Sequence, residues 1–287
     1  MARRVPEVKP TSPAAAIVLC SFCITMLFAL ARRPKYGRAL VCLETVDSTN
    51  NEVKRRALAG AADGLAVVAE QQTGGRGRRG RSFVSPAGQG LYLSVLLRPR
   101  CPLEEVSALT AWTAVAVCNA VERVCGVRPG IKWPNDVILD GRKLCGILTE
   151  LELEAETAAL RHVVVGVGIN LTQIAADFGP EVAPVAVSLA QALGRAPRRA
   201  EMAAAVLVAL DELYAAFPAE RAAWLERYRA DCLTLGRTVR LLRAGGEEEA
   251  FAEAVDDTFA LVVRRADGSR EAVSSGEVSV RGLLGYV

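Results

Sequence analysis

From about residue 40 onward, apolar runs of strand length alternate with longer segments whose apolar positions recur at helical spacing. Residues 65–70 and 91–97 are short and rich in β-formers, which predicts strands. Residues 104–125 predict one long helix. Val106, Leu109, Thr110, Ala114, Val117, Cys118 and Val121 share a face, and Gly126 supplies a stop. Thr49-x-x-Glu52 has the spacing of a capping box and opens a short helix over 50–58 that Gly60 can end. Apolar runs on either side of Asp140-Gly141 predict a hairpin, and the unbroken run at 163–170 predicts a buried central strand. Residues 198–230 read as helical with an interruption at Pro218. After Leu235 the texture changes to short strands at 237–242, 249–255, 259–264 and 271–274, parted by turn residues, which predicts a small β-barrel. The economical architecture is α+β: a mixed sheet with helices packed on it, followed by that barrel.

Composition narrows the class. A chain of 287 residues, 51% hydrophobic and 23% charged, has room for one large domain and one small one and is not disordered as a whole. The expected division is an extension over 1–38, a main domain over 39–233 and a C-terminal domain over 234–287. The net charge of +3 is uneven: residues 1–38 carry seven Lys or Arg against one acid, which leaves the remainder at −3. Bulk charge therefore does not make the body a nonspecific nucleic-acid binder. Residues 14–31 carry no charge and lie at the lower limit of the roughly 17–25 residues needed to cross a bilayer. Three readings of this segment stand: a membrane anchor, a secretory signal, or an extension preceding a later start at Met26.

Two scarcities limit the chemistry. With one histidine, a Ser/His/Asp triad would have to use His162, and a multi-histidine metal site is excluded. Only five of the 35 basic residues are lysine, so Lys132 and Lys143, both in Gly/Asn/Asp-rich segments, invite a functional reading. The eight cysteines stand mostly among apolar neighbours and read as reduced core residues; Cys20-x-x-Cys23 has no second pair to complete a zinc site.

Three segments carry candidate chemistry. Residues 71–81, Gln-Gln-Thr-Gly-Gly-Arg-Gly-Arg-Arg-Gly-Arg, combine glycines that let backbone approach a ligand with four guanidiniums suited to phosphate or carboxylate. The same composition also suits a solvated basic loop or an RNA contact, and it lacks the Gly-Lys-Ser/Thr ending of a Walker phosphate cradle. In Lys132-Trp133-Pro134-Asn135-Asp136, the turn offers hard oxygen ligands to a Mg²⁺ held mainly by phosphates. Lys143, in the hairpin that follows, offers a compact ammonium to a reacting carboxylate or phosphate. The bland alternative is an ordinary turn with surface lysines. In Gly166-Val-Gly-Ile-Asn170, glycines inside an apolar strand suggest close approach of a ligand, with an amide at the end.

Asp47-Ser48-Thr49-Asn50, the Gly-Arg loop, Lys132-Trp-Pro-Asn-Asp136, Gly141-Arg-Lys-Leu-Cys-Gly146 and Gly166-Val-Gly-Ile-Asn170 occur in this order. Together they resemble biotin protein ligase, or biotin–[acetyl-CoA-carboxylase] ligase, over about residues 40–287. The resemblance implies a fold like class II aminoacyl-tRNA synthetases with a C-terminal SH3-like barrel. It implies that biotin and MgATP form biotinyl-5′-adenylate, from which a lysine of a biotin carboxyl carrier protein takes the biotinyl group. Carried over by position, Ser48, Thr49, Asn50, Gln72, Gly75, Arg76, Gly77, Arg78 and Lys143 would bind biotin. Arg78, Lys132, Asn135, Asp136 and Asn170 would bind ATP, Asp136 would serve Mg²⁺, and Lys143 and Arg76 would be catalytic. A cytoplasmic location and a possible homodimer are expected. Specific DNA binding is not, because fewer than fifty residues precede Asp47, where repressor relatives carry a DNA-binding domain. Phe83 stands where some relatives have Trp, and Ala186 where some place an aromatic beside adenine. Lipoate or octanoyl transfer on the same fold is the neighbouring reading.

Overall fold

The computed structural model describes residues 39–243, 246–274 and 279–282, so the readings of residues 1–38 lie outside the described residues. β1 (Leu40–Val46), β2 (Ala66–Gln72), β3 (Gly90–Leu97), β4 (Gly130–Lys132), β5 (Asp136–Leu139), β6 (Arg142–Leu153) and β7 (Leu160–Asn170) form one mixed sheet. Its order is β1-β2-β3-β7-β6-β5-β4; β1 and β2 run parallel and every other pair antiparallel. The helices are α1 (Thr49–Leu58), α2 (Leu103–Val106), α3 (Ala108–Cys125), α4 (Ala175–Phe178), α5 (Leu189–Leu193), α6 (Arg199–Ala216) and α7 (Arg221–Asp231).

Strand periodicity decides which face is core. Leu91, Leu93 and Val95 of β3 and Val163, Val165, Val167 and Ile169 of β7 pack with α3 and α6 in the main cluster. On the other face, Val53 and Ala57 of α1 form a smaller cluster with Leu65, Val67, Leu96 and Val164, which leaves the far ends of the central strands open there. Among the described residues no helix is long and apolar enough to cross a membrane.

Three expectations change. The long helix is two: α2 ends at Val106, and the Ser107 hydroxyl donates to the Glu104 carbonyl, a local bond that competes with helix continuation. Burial on α3 also extends beyond one face, to Ala111, Trp112, Val115, Ala116 and Ala120, because the helix lies between the sheet and α6. The capping box does not form. Ser48 is the N-cap, Thr49 is already helical, and Glu52 is taken by Arg55 (2.8 Å) and Arg56 (2.7 Å). Cys101, Cys118, Cys125, Cys145 and Cys232 are free thiols, whereas Cys42, half-buried on the edge strand β1, is disulfide-bonded and not reduced.

Where the sequence predicts a barrel, β8 (Arg237–Arg243), β9 (Gly246–Val255), β10 (Leu261–Arg264), β11 (Arg270–Val273) and β12 (Ser279–Gly282) form a small antiparallel sheet in the order β11-β10-β9-β8-β12. Its seam with the main sheet runs along β4. Leu233 N donates to Ile131 O (2.8 Å), Trp133 N to Thr234 Oγ1 (2.9 Å), and the buried Trp133 Nε1 to Phe259 O (3.0 Å). The substitution Trp133→Phe keeps an aromatic ring and strands the Phe259 carbonyl. It is expected to lower the unfolding free energy by about 1–3 kcal/mol in a urea titration.

Candidate active site

The open end of the sheet face is floored by residues of one parity. Tyr92 and Ser94 of β3 pair in register with Gly168 and Gly166 of β7, and these pair with Gly146 and Leu148 of β6. The three glycines are what keep this floor low. A Cβ at Gly166 would lie 2.2 Å from Asn50 Oδ1, and one at Gly168 would lie 2.7 Å from the Phe83 ring. Above the floor is a cavity of about 650 Å³ lined by residues from each of the five segments that occur in order in the sequence.

At one end stands a chain of polar groups. The Thr49 amide and hydroxyl both donate to Gln72 Oε1 (2.9 and 3.1 Å), Gln72 Nε2 donates to Ser85 Oγ (2.9 Å), and that hydroxyl donates to the Phe83 carbonyl (3.0 Å). The tertiary partner Gln72 thus takes the groups that a capping interaction would have used. Ser48 is buried and lines the cavity. The Asn50 amide is committed to the wall: Ser94 Oγ donates to its Oδ1 (2.6 Å), and its Nδ2 donates to Leu148 O (3.2 Å) and Glu150 Oε2 (2.8 Å).

The Gly-Arg segment folds back over the cavity as a solvent-facing cover pinned by its own backbone bonds. Gly77 N donates to Arg81 O (2.6 Å) and Phe83 N to Gly75 O (2.9 Å), and Arg78–Gly80 makes a 3₁₀ turn with Arg79 at φ 57°. Its arginines diverge. Arg76 reaches Glu150 (2.7 Å), Arg78 donates to Asn135 Oδ1 (3.1 Å), and Arg79 reaches the Leu242 carbonyl on β8 (3.4 Å).

Lys143 enters the cavity because of a bulge. Val137 pairs with Cys145 but Ile138 with Lys143, so β6 holds one extra residue at Leu144. Leu144 and Cys145 are both buried in the core, and Lys143, which strict alternation would turn inward, projects over Gly146 instead. Its ammonium lies 2.7 Å from Asp136 Oδ1. Lys132 is buried in the same wall, and Asn135 is fixed by donating to Ile147 O (2.7 Å). Asn170 braces this corner by donating to Val187 O (3.1 Å) and Lys143 O (3.3 Å). Phe178, Val182 and Ala186 supply an apolar wall nearby.

Sequence reasoning missed Glu150, Ser94 and Ser85. Ser94 was detectable as the polar interruption of an apolar strand, and Glu150 shares the parity of Gly146 and Leu148. Burial would raise the Glu150 pKa, but hydrogen bonds from Lys54 and Asn50 and the Arg76 charge outweigh it and hold the carboxyl below its usual range. His162 is buried beside Glu152 (3.4 Å) and outside the cavity, and burial lowers its pKa, so it is not placed for a nucleophilic triad. Among the described residues no three His, Cys, Asp or Glu cluster as a metal site.

Comparison with known proteins matches residues 42–170 to the biotin/lipoate A/B protein ligase family and residues 234–281 to the biotin protein ligase C-terminal domain. The chain is 35% identical over 247 residues to the biotin–[acetyl-CoA-carboxylase] ligase of Mycobacterium tuberculosis, covering 84% of this chain and 88% of that protein. It is 34% identical over 244 residues to the bifunctional ligase/repressor BirA of Bacillus subtilis, covering 83% of this chain and 73% of the relative. Among solved structures, the Aquifex aeolicus biotin protein ligase in complex with biotin and ATP superposes with a TM-score of 0.73 at 29% identity, covering 85% of this chain and 99% of that one.

Proposed function

The chain belongs to the biotin protein ligase family, so its reaction is the ATP-dependent biotinylation of a carrier protein, and we propose that the cavity described above runs both half-reactions. In the first, a biotin carboxylate oxygen attacks the α-phosphorus of ATP, the bond to the β-phosphate bridge breaks, and pyrophosphate leaves. In the second, a carrier lysine amine attacks the acyl carbon, AMP leaves with the bonding pair, and the nitrogen sheds its proton. The observation that supports this reading is the convergence of the Gly-Arg cover, Lys143 and the Lys132-to-Asp136 turn on one glycine-floored cavity.

Biotin's ring would occupy the end lined by Ser48, Thr49 and Gln72, whose donors and acceptors suit a cyclic urea. The carboxylate then points toward Lys143. Two anions, carboxylate and triphosphate, must meet there, and fixed cations lower the cost of bringing them together. Lys132, Arg78 and Lys143 supply that charge around Asn135 and Asp136. The Gly-Arg cover would keep water from the mixed anhydride. One carboxylate with a neighbouring amide fits a Mg²⁺ bound chiefly by phosphate oxygens, with Asp136 its protein ligand, and the ion would neutralise charge on the departing pyrophosphate. The apolar wall of Phe178, Val182 and Ala186 is assigned to adenine.

Biotin-dependent exchange of labelled pyrophosphate into ATP tests the first half-reaction without a carrier. Exchange is expected with biotin and absent without it; exchange with neither biotin nor a biotin analogue contradicts the reading.

A further inference from the structure

We propose that Glu150 is a positioning residue for adenylate formation and retention: it holds the Arg76 guanidinium, and through it the Gly-Arg cover, in place before substrate arrives. The inference rests on the biotinyl-adenylate reading given above.

Glu150 sits on β6 opposite Val164, on the face that carries the cavity floor. Its two oxygens are divided among three donors, two from α1 and one from the Gly-Arg cover. Oε1 accepts from Lys54 Nζ of α1 (2.6 Å), while Oε2 accepts from Arg76 Nη2 of the cover (2.7 Å) and from Asn50 Nδ2 (2.8 Å). The carboxylate therefore ties the cover to the same Asn50 amide that rests on Gly166 and is set by Ser94. No other hydrogen bond or ion pair of the Arg76 side chain accompanies this one among the described contacts, so the guanidinium's position is determined by Glu150. Two cations against one anion leave the cluster at +1 formal charge, so it fixes Arg76 without making the site repel a carboxylate or phosphate. An arginine ordered in advance loses less freedom when the adenylate binds.

The experiment loads the full-length protein with labelled biotin, ATP and Mg²⁺ and follows release of biotinyl-adenylate into an unlabelled chase. Glu150→Gln is expected to speed release and raise the KM for biotin by about tenfold, the size of one lost charge-assisted hydrogen bond, with kcat for pyrophosphate exchange little changed. Arg76→Ala is expected to act in the same direction, and the double variant to release no faster than Arg76→Ala alone, because the carboxylate acts through that guanidinium. Lys54→Met removes a different partner of the same carboxylate and serves as the folding control, with release close to wild type. Multiplying effects in the double variant, or release from Lys54→Met as fast as from Glu150→Gln, overturns the inference. A wild-type protein that forms no adenylate overturns the reading beneath it instead.

Discussion

Lys143→Ala is expected to lower biotin-dependent pyrophosphate exchange by about a hundred- to a thousandfold, the range seen when one preorganised charge-stabilising donor is removed. The bulge at Leu144 turns this side chain onto the cavity face, and Asp136, 2.7 Å away, fixes the ammonium over Gly146. The pair is partly exposed, so its loss is expected to cost at most about 1 kcal/mol of stability, and the melting temperature should stay close to wild type. Lys143→Arg should not rescue the rate, since a planar fork cannot occupy the position of a point charge resting on a glycine. A folded Lys143→Ala protein with near-normal exchange would contradict the role assigned to the ammonium.

Gly75→Ala is the second large effect. A Cβ there would fall 2.3 Å from the Phe83 carbonyl oxygen and 2.7 Å from Ser85 Oγ, against backbone that the Phe83 N–H to Gly75 O bond holds in place. The cover must shift as a unit, carrying Arg76 and Arg78 off their partners and disturbing the Gln72–Ser85 contact at the biotin end. A displacement on the order of 1 Å in a positioning element can cost about a hundredfold in rate. The expected result is a fall of that order in kcat/KM for biotin, with the unfolding transition little changed because the cover is peripheral to the core. Unchanged kcat/KM would show that the cover need not close as described.

Local requirements were legible in the sequence. Asp140-Gly141 does join β5 to β6, with φ of 50° and 70° at the two residues, a conformation that a two-residue hairpin demands of its side chains. The glycines at 166 and 168 do mark a close approach, although the groups approaching them are Asn50 and Phe83 of the same chain. The turn pattern after Leu235 likewise yields four of the five C-terminal strands within a few residues. What periodicity hid depends on pairings between distant segments. The bulge that re-aims Lys143 is a mismatch of one residue between two strands, invisible in either strand alone. The Asn50–Leu148, Asn50–Glu150 and Trp133–Phe259 bonds join residues 98, 100 and 126 positions apart. Thr49 illustrates the same limit from the other side, since its local capping pattern lost to Gln72, 23 residues away. The site was therefore legible as a set of residues, while the contacts that hold those residues in place were not.

The most direct measurement incubates the full-length protein with biotin, lipoate, ATP, Mg²⁺ and an equimolar mixture of a biotin carboxyl carrier domain and a lipoyl domain, followed by intact-mass and peptide analysis. The predicted result is a single biotinyl addition on one lysine of the carrier domain, dependent on ATP and lost with Lys143→Ala. An unmodified carrier domain, or lipoyl addition to the lipoyl domain in its place, would contradict the assignment.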